Sequence, residues 1–397
     1  MRILQVTDWN PGRGGSEAYV EWLVANLPSA GHEVRLLTSN AGTSADGRAD
    51  FIAPASRHPA AQAFLQIGNP FAFAATRSAL RKFRPEVIHL HLFAYHLSPA
   101  IVWAFGGTPF VATIHDYKSV CPIGTKLLPD GRICTQRAGV VCHEVCLGTL
   151  HWLRDQPRYA LIRRALNRAA ATLVYSETMA ATLRSHGTDA VLLPIPVPVD
   201  SRHFQRRVAP HPLFVCAARL EREKGVELLI QTFARLLSTH SAARLRIVGD
   251  GQLRPALQAL AGNLAPTGAI EFCGWRGGAE IDRWLADAWA LVAPSLWAEP
   301  FGLVAPEAIL RGVPVICSRT GGLAESVTPR LSGLLFENGN GDDLLAQLED
   351  VAGGREFPDR QCDPTAVRAL LERHDPHRHL AGLSRLYGSV RTGARGA

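Results

Sequence analysis

Short apolar, β-branched runs recur along this chain with helical patterns between them, and that alternation leaves few folds open. Ile3–Thr7, Glu33–Thr38, Glu86–His91, Phe110–Ile114, Leu173–Ser176 and Ala190–Leu193 read as strands of a first series. Leu213–Ala218, Leu245–Val248, Ile270–Trp275, Ala290–Ala293, Pro314–Cys317 and Gly333–Phe336 repeat the rhythm. Strands this short and apolar, separated by helices, predict parallel sheets covered on both faces. Between the series lies Pro194-Ile195-Pro196-Val197-Pro198-Val199-Asp200, a proline-stiffened connector. The expected class is therefore α/β with two Rossmann-like domains, 1–193 and 213–375, a linker over 194–212 and a final helical segment over 376–397. At 397 residues the chain is long enough for a proper core in each domain.

The most informative stretch of the second series runs from Pro294 to Val315. A loop ending at Gly302 leads into a helix from about Leu303 to Arg311, where Pro306 is tolerable in the first turn and Gly312 suits a left-handed exit. Strand, loop and helix N-terminus together aim unpaired backbone N–H groups at an anion. Glu299 and Glu307 bracket that turn. Arg219 and Lys224 follow the first strand of the series. Gly249-Asp250-Gly251 and Gly321-Gly322 follow two others. Ligands of open parallel sheets gather at the carboxyl ends of strands, so these cations and glycines predict a phosphate site.

In the first series, Gly12, Gly14 and Gly15 precede a helix starting at Ser16. A redox dinucleotide fingerprint would need glycine where Glu17 stands, so the glycines are better read as letting the loop approach a ligand. His115, in His115-Asp116-Tyr117, ends a strand and has the place of a polar group in a cleft. His89 and His91 sit on a strand with no third ligand in view, and metal binding there is not expected. Cys121, Cys134, Cys142 and Cys146 fall in an irregular insert over 117–150 and could hold a structural zinc, though without the tight Cys-x-x-Cys pairs of a strong signature. Plain buried thiols are the alternative.

Charge sets further bounds. The balance is +7, a mild and diffuse excess that suits polyanionic ligands or an anionic membrane surface but not nucleic acid. Basic helices near Phe73–Phe83 and Arg154–Ala170 carry Arg77, Arg81, Lys82, Arg84, Arg158, Arg163, Arg164 and Arg168 and could rest on anionic lipid, or be solvated faces. The uncharged run from Leu97 to Ile114 is broken by Pro99, Gly106, Gly107 and Pro109 and parses as helix, turn and buried strand. The strand-like start at Met1 carries no apolar signal core. A cytoplasmic protein with reduced cysteines is the expectation.

Taken together, Gly14-Gly15-Ser16-Glu17, His115-Asp116-Tyr117, the Arg219/Lys224 spacing, Gly249-Asp250-Gly251 and Glu299-Pro300-Phe301-Gly302-Leu303 with Glu307 resemble the retaining glycosyltransferases of family 4. The last is similar to that family's Glu-x7-Glu motif. The resemblance implies a GT-B fold, two facing Rossmann-like domains with a cleft between them, and a hexosyltransferase-type reaction from a UDP- or GDP-linked sugar. Acceptors in the family are often glycans or polyprenol-linked glycans of polysaccharide biosynthesis, extended at the inner face of the cytoplasmic membrane. Arg219 and Lys224 would hold the donor diphosphate, Glu307 the ribose hydroxyls, and Glu299 would face the donor sugar. Backbone N–H groups of Gly302, Leu303 and Val304 would contact sugar or phosphate oxygens. Gly249 and Gly251 would belong to the same donor site, Gly14 and Gly15 would pass under the diphosphate from the opposite domain, and His115 would touch the sugar or reaction centre. The helix over about Pro376–Val390 would cross back onto the first domain.

No two aspartates stand two apart, so the Asp-x-Asp metal clamp of the other large glycosyltransferase fold is missing and no cofactor is expected for transfer. A glycoside hydrolase would also use two carboxylates, but has no use for Arg219, Lys224 and phosphate-facing glycines. A GT-B phosphorylase and a non-catalytic sugar-nucleotide-binding protein remain the alternatives.

Overall fold

The protein is seen in a computed structural model that describes residues 1–8, 14–40, 49–56, 58–197, 204–275 and 280–393. Two compact units emerge. One comprises Met1–Thr125, Gln136–Ile195 and Pro376–Ala397; the other comprises Lys126–Thr135 and Pro196–Asp375.

The first unit is built on a seven-stranded sheet: β1 Arg2–Val6, β2 Glu33–Ser39, β3 Phe51–Ala53, β4 Val87–Leu90, β5 Phe110–Thr113, β6 Ala171–Val174 and β7 Val191–Leu192. The spatial order is β3-β2-β1-β4-β5-β6-β7. Every pairing is parallel. The order reverses between β1 and β4, and such a switch point opens a crevice at the strands' carboxyl ends. Asp8 stands just past the end of β1. Its buried carboxylate accepts from the N–H groups of Tyr95 at 2.6 Å, His96 at 2.9 Å and Leu97 at 2.6 Å, tying the loop after β4 to the end of β1. Leu97–Ile114 resolves as a short helix, Ile101–Ala104, and β5. The helix Pro70–Phe83 is started by Asn69, whose side chain accepts from Phe71 and Ala72 N–H. The helix Pro376–Arg391 packs on β4 and β5 of this unit and buries His379, Leu380, Leu383, Tyr387 and Val390.

The second unit has six strands: β8 Leu213–Ala217, β9 Arg244–Val248, β10 Ile270–Gly274, β11 Ala290–Ala293, β12 Val315–Ser318 and β13 Gly333–Phe336. They lie in the order β10-β9-β8-β11-β12-β13, again all parallel, with the reversal between β8 and β11. Helix Val226–Leu236 lays Leu229, Ile230 and Phe233 into a core shared with Phe214, Ile247, Val292, Phe336 and Leu344. The fold class is α/β with two sheets of parallel strands.

Some expectations need correction. β3 was not foreseen, being only three residues long. The insert is not wholly irregular: it contains helix Val140–Val145 and the start of helix Thr149–Leu166, which begins five residues before the expected Arg154 and holds Pro157 inside it. Arg158 is not a solvated or lipid-facing cation. Its side chain is 8% exposed, pairs with Asp155 at 3.5 Å and donates to Gln66 at 2.8 Å. Residues 126–135, with a Leu127–Ile133 antiparallel bridge, group with the second unit rather than with the rest of the insert. Cys142 and Cys146 stand one helical turn apart, Cys121 follows Tyr117, and Cys134 belongs to 126–135. Among the described residues no group of three or more His, Cys, Asp or Glu is placed to hold a metal ion. Among the same residues no helix is long and apolar enough to cross a membrane.

One glycine tests the packing of the second sheet directly. A Cβ on Gly333, at the start of β13, would lie 2.1 Å from the Val315 carbonyl oxygen of the neighbouring strand. Gly333→Ala should destabilise the protein by about 1–3 kcal/mol, the usual cost of overpacking. Denaturant unfolding of the two proteins measures it.

Candidate functional site

In the second unit the loops after β8, β9, β11 and β12 carry the predicted site, and they interlock through glycines. A Cβ at Gly249 would sit 1.8 Å from the Ala218 carbonyl oxygen, and one at Gly251 2.5 Å from that of Leu220. The Leu220 N–H donates to the Asp250 carbonyl at 2.9 Å. Gly225, at φ 65°, meets the Pro294 carbonyl, and Gly321, at φ 61°, meets the backbone of Glu299. The glycine requirement at 249 and 251 is thus already met by the chain's own packing, which presses the Arg219 loop against the loop after β9. Gly302, at φ 81°, is held against Leu323.

On this frame sit the charges. Lys224 Nζ lies 2.9 Å from Glu299 Oε1, with side chains only 15% and 8% exposed. The Ser295 hydroxyl donates to the same carboxylate oxygen. Burial by itself would raise the Glu299 pKa, but the charge of Lys224, hydrogen bonds from Ser295 and Lys224, and the charge of Arg219 outweigh it and bring the pKa below its ordinary value. Arg219 is half exposed and paired with Glu223 at 3.0 Å. Its guanidinium therefore keeps donors available at the carboxyl end of β8.

Glu307 lies in the first turn of helix Val304–Ile309, which opens just after Gly302 and Leu303. The first N–H groups of such a turn have no intrahelical acceptor. Burial raises the Glu307 pKa, against the lowering effect of Arg311. Arg311 is itself engaged by Asp282 at 2.5 Å and by the Glu307 carbonyl at 2.8 Å.

In the first unit the polar residues at the strand ends form a buried network. His91 Nε2 is 2.7 Å from Gln5 Oε1, and His91 Nδ1 is 3.1 Å from His115 Nε2. His115 Nδ1 is 3.4 Å from the Tyr175 hydroxyl. His89 contacts the Tyr387 hydroxyl through Nδ1 and Thr113 Oγ1 through Nε2, both at 2.6 Å. Tyr19 OH meets His379 Nε2 at 2.8 Å, and His379 Nδ1 reaches the Pro194 carbonyl at 2.8 Å. Burial lowers the pKa of His89 and His91 well below the ordinary imidazole value, and that of His115 to about 3. Burial likewise raises the Tyr19 and Tyr175 phenols. Burial thus favours the uncharged form of these three imidazoles and two phenols. Gly14 and Gly15 lie at the start of helix Gly15–Asn26, where the Glu17 carboxylate folds back so closely that a Cβ on Gly14 would be 2.7 Å from it.

The structure thus brings Arg219, Lys224, Glu299, Gly302, Leu303, Val304 and Glu307 onto neighbouring loops of one unit, and places His115, Gly14 and Gly15 in the other. Sequence reasoning missed Ser295, Gln5, Tyr19 and Tyr175. A serine four residues before Glu299 was a readable hint; nothing local marks the other three, whose roles come from contacts between elements distant in the chain.

The family model described as Glycosyltransferase Family 4 matches residues 13–202, and that described as Glycosyl transferases group 1 matches residues 200–362. The glycogen synthase of Mycobacterium tuberculosis is 30% identical over 363 residues, 84% of this chain and 82% of that protein. Among solved structures, sucrose-phosphate synthase from Thermosynechococcus elongatus superposes with a TM-score of 0.76 at 20% identity, over 99% of both chains. Anabaena HepE in complex with UDP-glucose does so with a TM-score of 0.69 at 17% identity, over 98% of this chain and 100% of that one. With the two family models matching adjoining stretches of the chain, a relative 30% identical over most of both proteins and two parallel-stranded α/β units of the GT-B type, the chain belongs to glycosyltransferase family 4.

Proposed function

We propose that this protein transfers a hexose from a UDP- or GDP-linked donor to a hydroxyl of a glycan or lipid-linked glycan, with retention at the anomeric carbon. The observation that carries the reading is the Lys224–Glu299–Ser295 cluster beside Arg219, a pair of cations gathered around a buried carboxylate at the carboxyl ends of β8 and β11. Breaking the anomeric bond leaves charge on a diphosphate and an oxocarbenium-like sugar, so catalysis needs cations where that charge appears. Arg219 and Lys224 supply them. Lys224, paired with Glu299, turns to the diphosphate when the donor arrives, and Glu299 faces the sugar. Glu307 takes the ribose hydroxyls, and Gly302, Leu303 and Val304 offer backbone N–H groups. His115 takes a sugar hydroxyl in the first unit. No divalent ion is required, since the chain has no Asp-x-Asp clamp. Two relatives lend support: one is named a glycogen synthase, and the Anabaena HepE structure holds UDP-glucose.

The acceptor side of the reading uses the exposed cations Arg77, Arg81, Lys82, Arg84, Arg163, Arg164 and Arg168, together with exposed Phe71, Leu150 and Leu153. Basic and apolar side chains of this kind suit peripheral contact with an anionic membrane that presents a polyprenol-linked acceptor.

Three outcomes are expected. Arg219→Ala and Lys224→Met should each lower kcat/KM with the preferred nucleotide sugar about ten- to a hundredfold, the worth of one charge-assisted hydrogen bond; calorimetry with UDP, GDP and their sugars that gave no heat would end the donor reading. Glu307, whose pKa is raised by burial, is the site carboxylate that gains its proton first as pH falls. Protonation removes an acceptor for a ribose hydroxyl, so donor affinity should weaken with acidification toward that raised pKa. In Glu307→Gln affinity should be lower and flat with pH; titrations across a pH series read both. Finally, the protein should float with liposomes containing anionic lipid at low salt, and a variant carrying Arg163→Glu and Arg164→Glu should float less. Equal flotation on neutral vesicles would reject the electrostatic contact.

A further inference from the structure

We propose that His91, oriented by Gln5, fixes His115 as the tautomer whose Nδ1 is a bare acceptor, so that His115 receives a hydroxyl proton and has no N–H to offer a phosphate or carboxylate. The proposal rests on the reading above that a sugar reaches the end of β5.

The proton positions follow from one another around the network. His89, beside His91, is held at both nitrogens by hydroxyls, Thr113 at Nε2 and Tyr387 at Nδ1, each at 2.6 Å. Gln5 independently turns its Oε1, which can only accept, toward His91 Nε2. His91 therefore donates from Nε2 at 2.7 Å and is bare at Nδ1. That nitrogen can only accept, so His115 donates to it from Nε2 at 3.1 Å. His115 Nδ1 is left without a proton. Both imidazoles must be neutral for this circuit to close, as burial makes them.

What faces Nδ1 is lightly held. The Tyr175 hydroxyl is 3.4 Å away, near the limit for such a bond. Tyr175 has another acceptor in Tyr19, whose own proton goes to His379 Nε2 because His379 donates from Nδ1 to the Pro194 carbonyl. A ligand hydroxyl can thus take over Nδ1 while the Tyr175 proton turns to Tyr19, and no buried donor loses its partner. A uronate or phosphate oxygen would meet lone pair against lone pair. Gln5 and His91 are, on this account, positioning residues for His115, and the ligand class is a neutral, hydroxyl-bearing sugar.

The test is nitrogen-15 NMR of histidine-labelled protein without nucleotide sugar, with the His115 signals assigned by their loss in His115→Ala. Protonated Nε2 and unprotonated Nδ1, unchanged from pH 7 to pH 5, is the expected result; a protonated Nδ1 or a charged ring in that range overturns the proposal. In His91→Leu, His115 should become a mixture of tautomers and kcat/KM should fall about three- to tenfold. His91→Gln, which restores an oxygen acceptor for Nε2–H, should recover most of it. Intact kcat/KM in a folded His91→Leu would also overturn the positioning role. The spectrum of the unmodified protein needs no turnover, so failure to find any sugar transfer strikes the proposed function while the tautomer is judged separately.

Discussion

Backbone pressed on backbone is the constraint from which the second unit's site follows. At Gly225, Gly249, Gly251 and Gly321 the position of a side chain is taken by a neighbouring loop's main chain, at 2.0, 1.8, 2.5 and 2.4 Å respectively. No other residue allows four loops from β8, β9, β11 and β12 to share one small volume. That crowding puts Lys224 against Glu299, although 75 residues separate them in the chain. Loops so constrained have little freedom to lose when a ligand binds, which is how a site gains affinity without new contacts.

The two units solve the problem of buried polarity in opposite ways. In the second, a charge is kept: Glu299 stays ionised because a lysine and a serine hydroxyl sit on it. Removing one partner of such a pair strands the other, at a cost of about 3–5 kcal/mol. Around His91, at the strand ends of the first, charge is abolished. Histidines and tyrosines are held neutral by burial and satisfied by one another. The contrast fits the division of labour in the proposed reaction, where a diphosphate calls for cations and a sugar hydroxyl for a neutral acceptor.

How much of this was legible depended on how local each signal was. Strand–helix alternation marked every strand but the three-residue β3, because buried parallel strands must be short and apolar. The glycines were legible as glycines, yet their meaning was not: Gly249 and Gly251 read as phosphate-facing, and the structure spends their missing side chains on the Ala218 and Leu220 carbonyls. Arg158 looked like one more surface cation on a basic helix, since sequence cannot show Asp155 and Gln66 closing over it. His91 read as an ordinary strand histidine, which it is by burial. Its importance lies in the partner it holds on the next strand, and register across a parallel sheet leaves no mark in local sequence.

The first unit also depends on residues that reach it last. Tyr387 meets His89 across 298 residues of chain and Tyr19 meets His379 across 360, because the helix Pro376–Arg391 follows the whole second unit. Before that helix docks, His89 Nδ1 has lost the hydroxyl that satisfies it, and a buried nitrogen without a partner costs about 1–3 kcal/mol. The sheet of the first unit can assemble from its own strands, but its polar interior cannot be completed until the second unit has been traversed. Contacts of such long separation are slow to form. The ordering of His115, at the end of the same network, is therefore a property of the finished chain rather than of the first 195 residues, even though every strand that carries it lies within them.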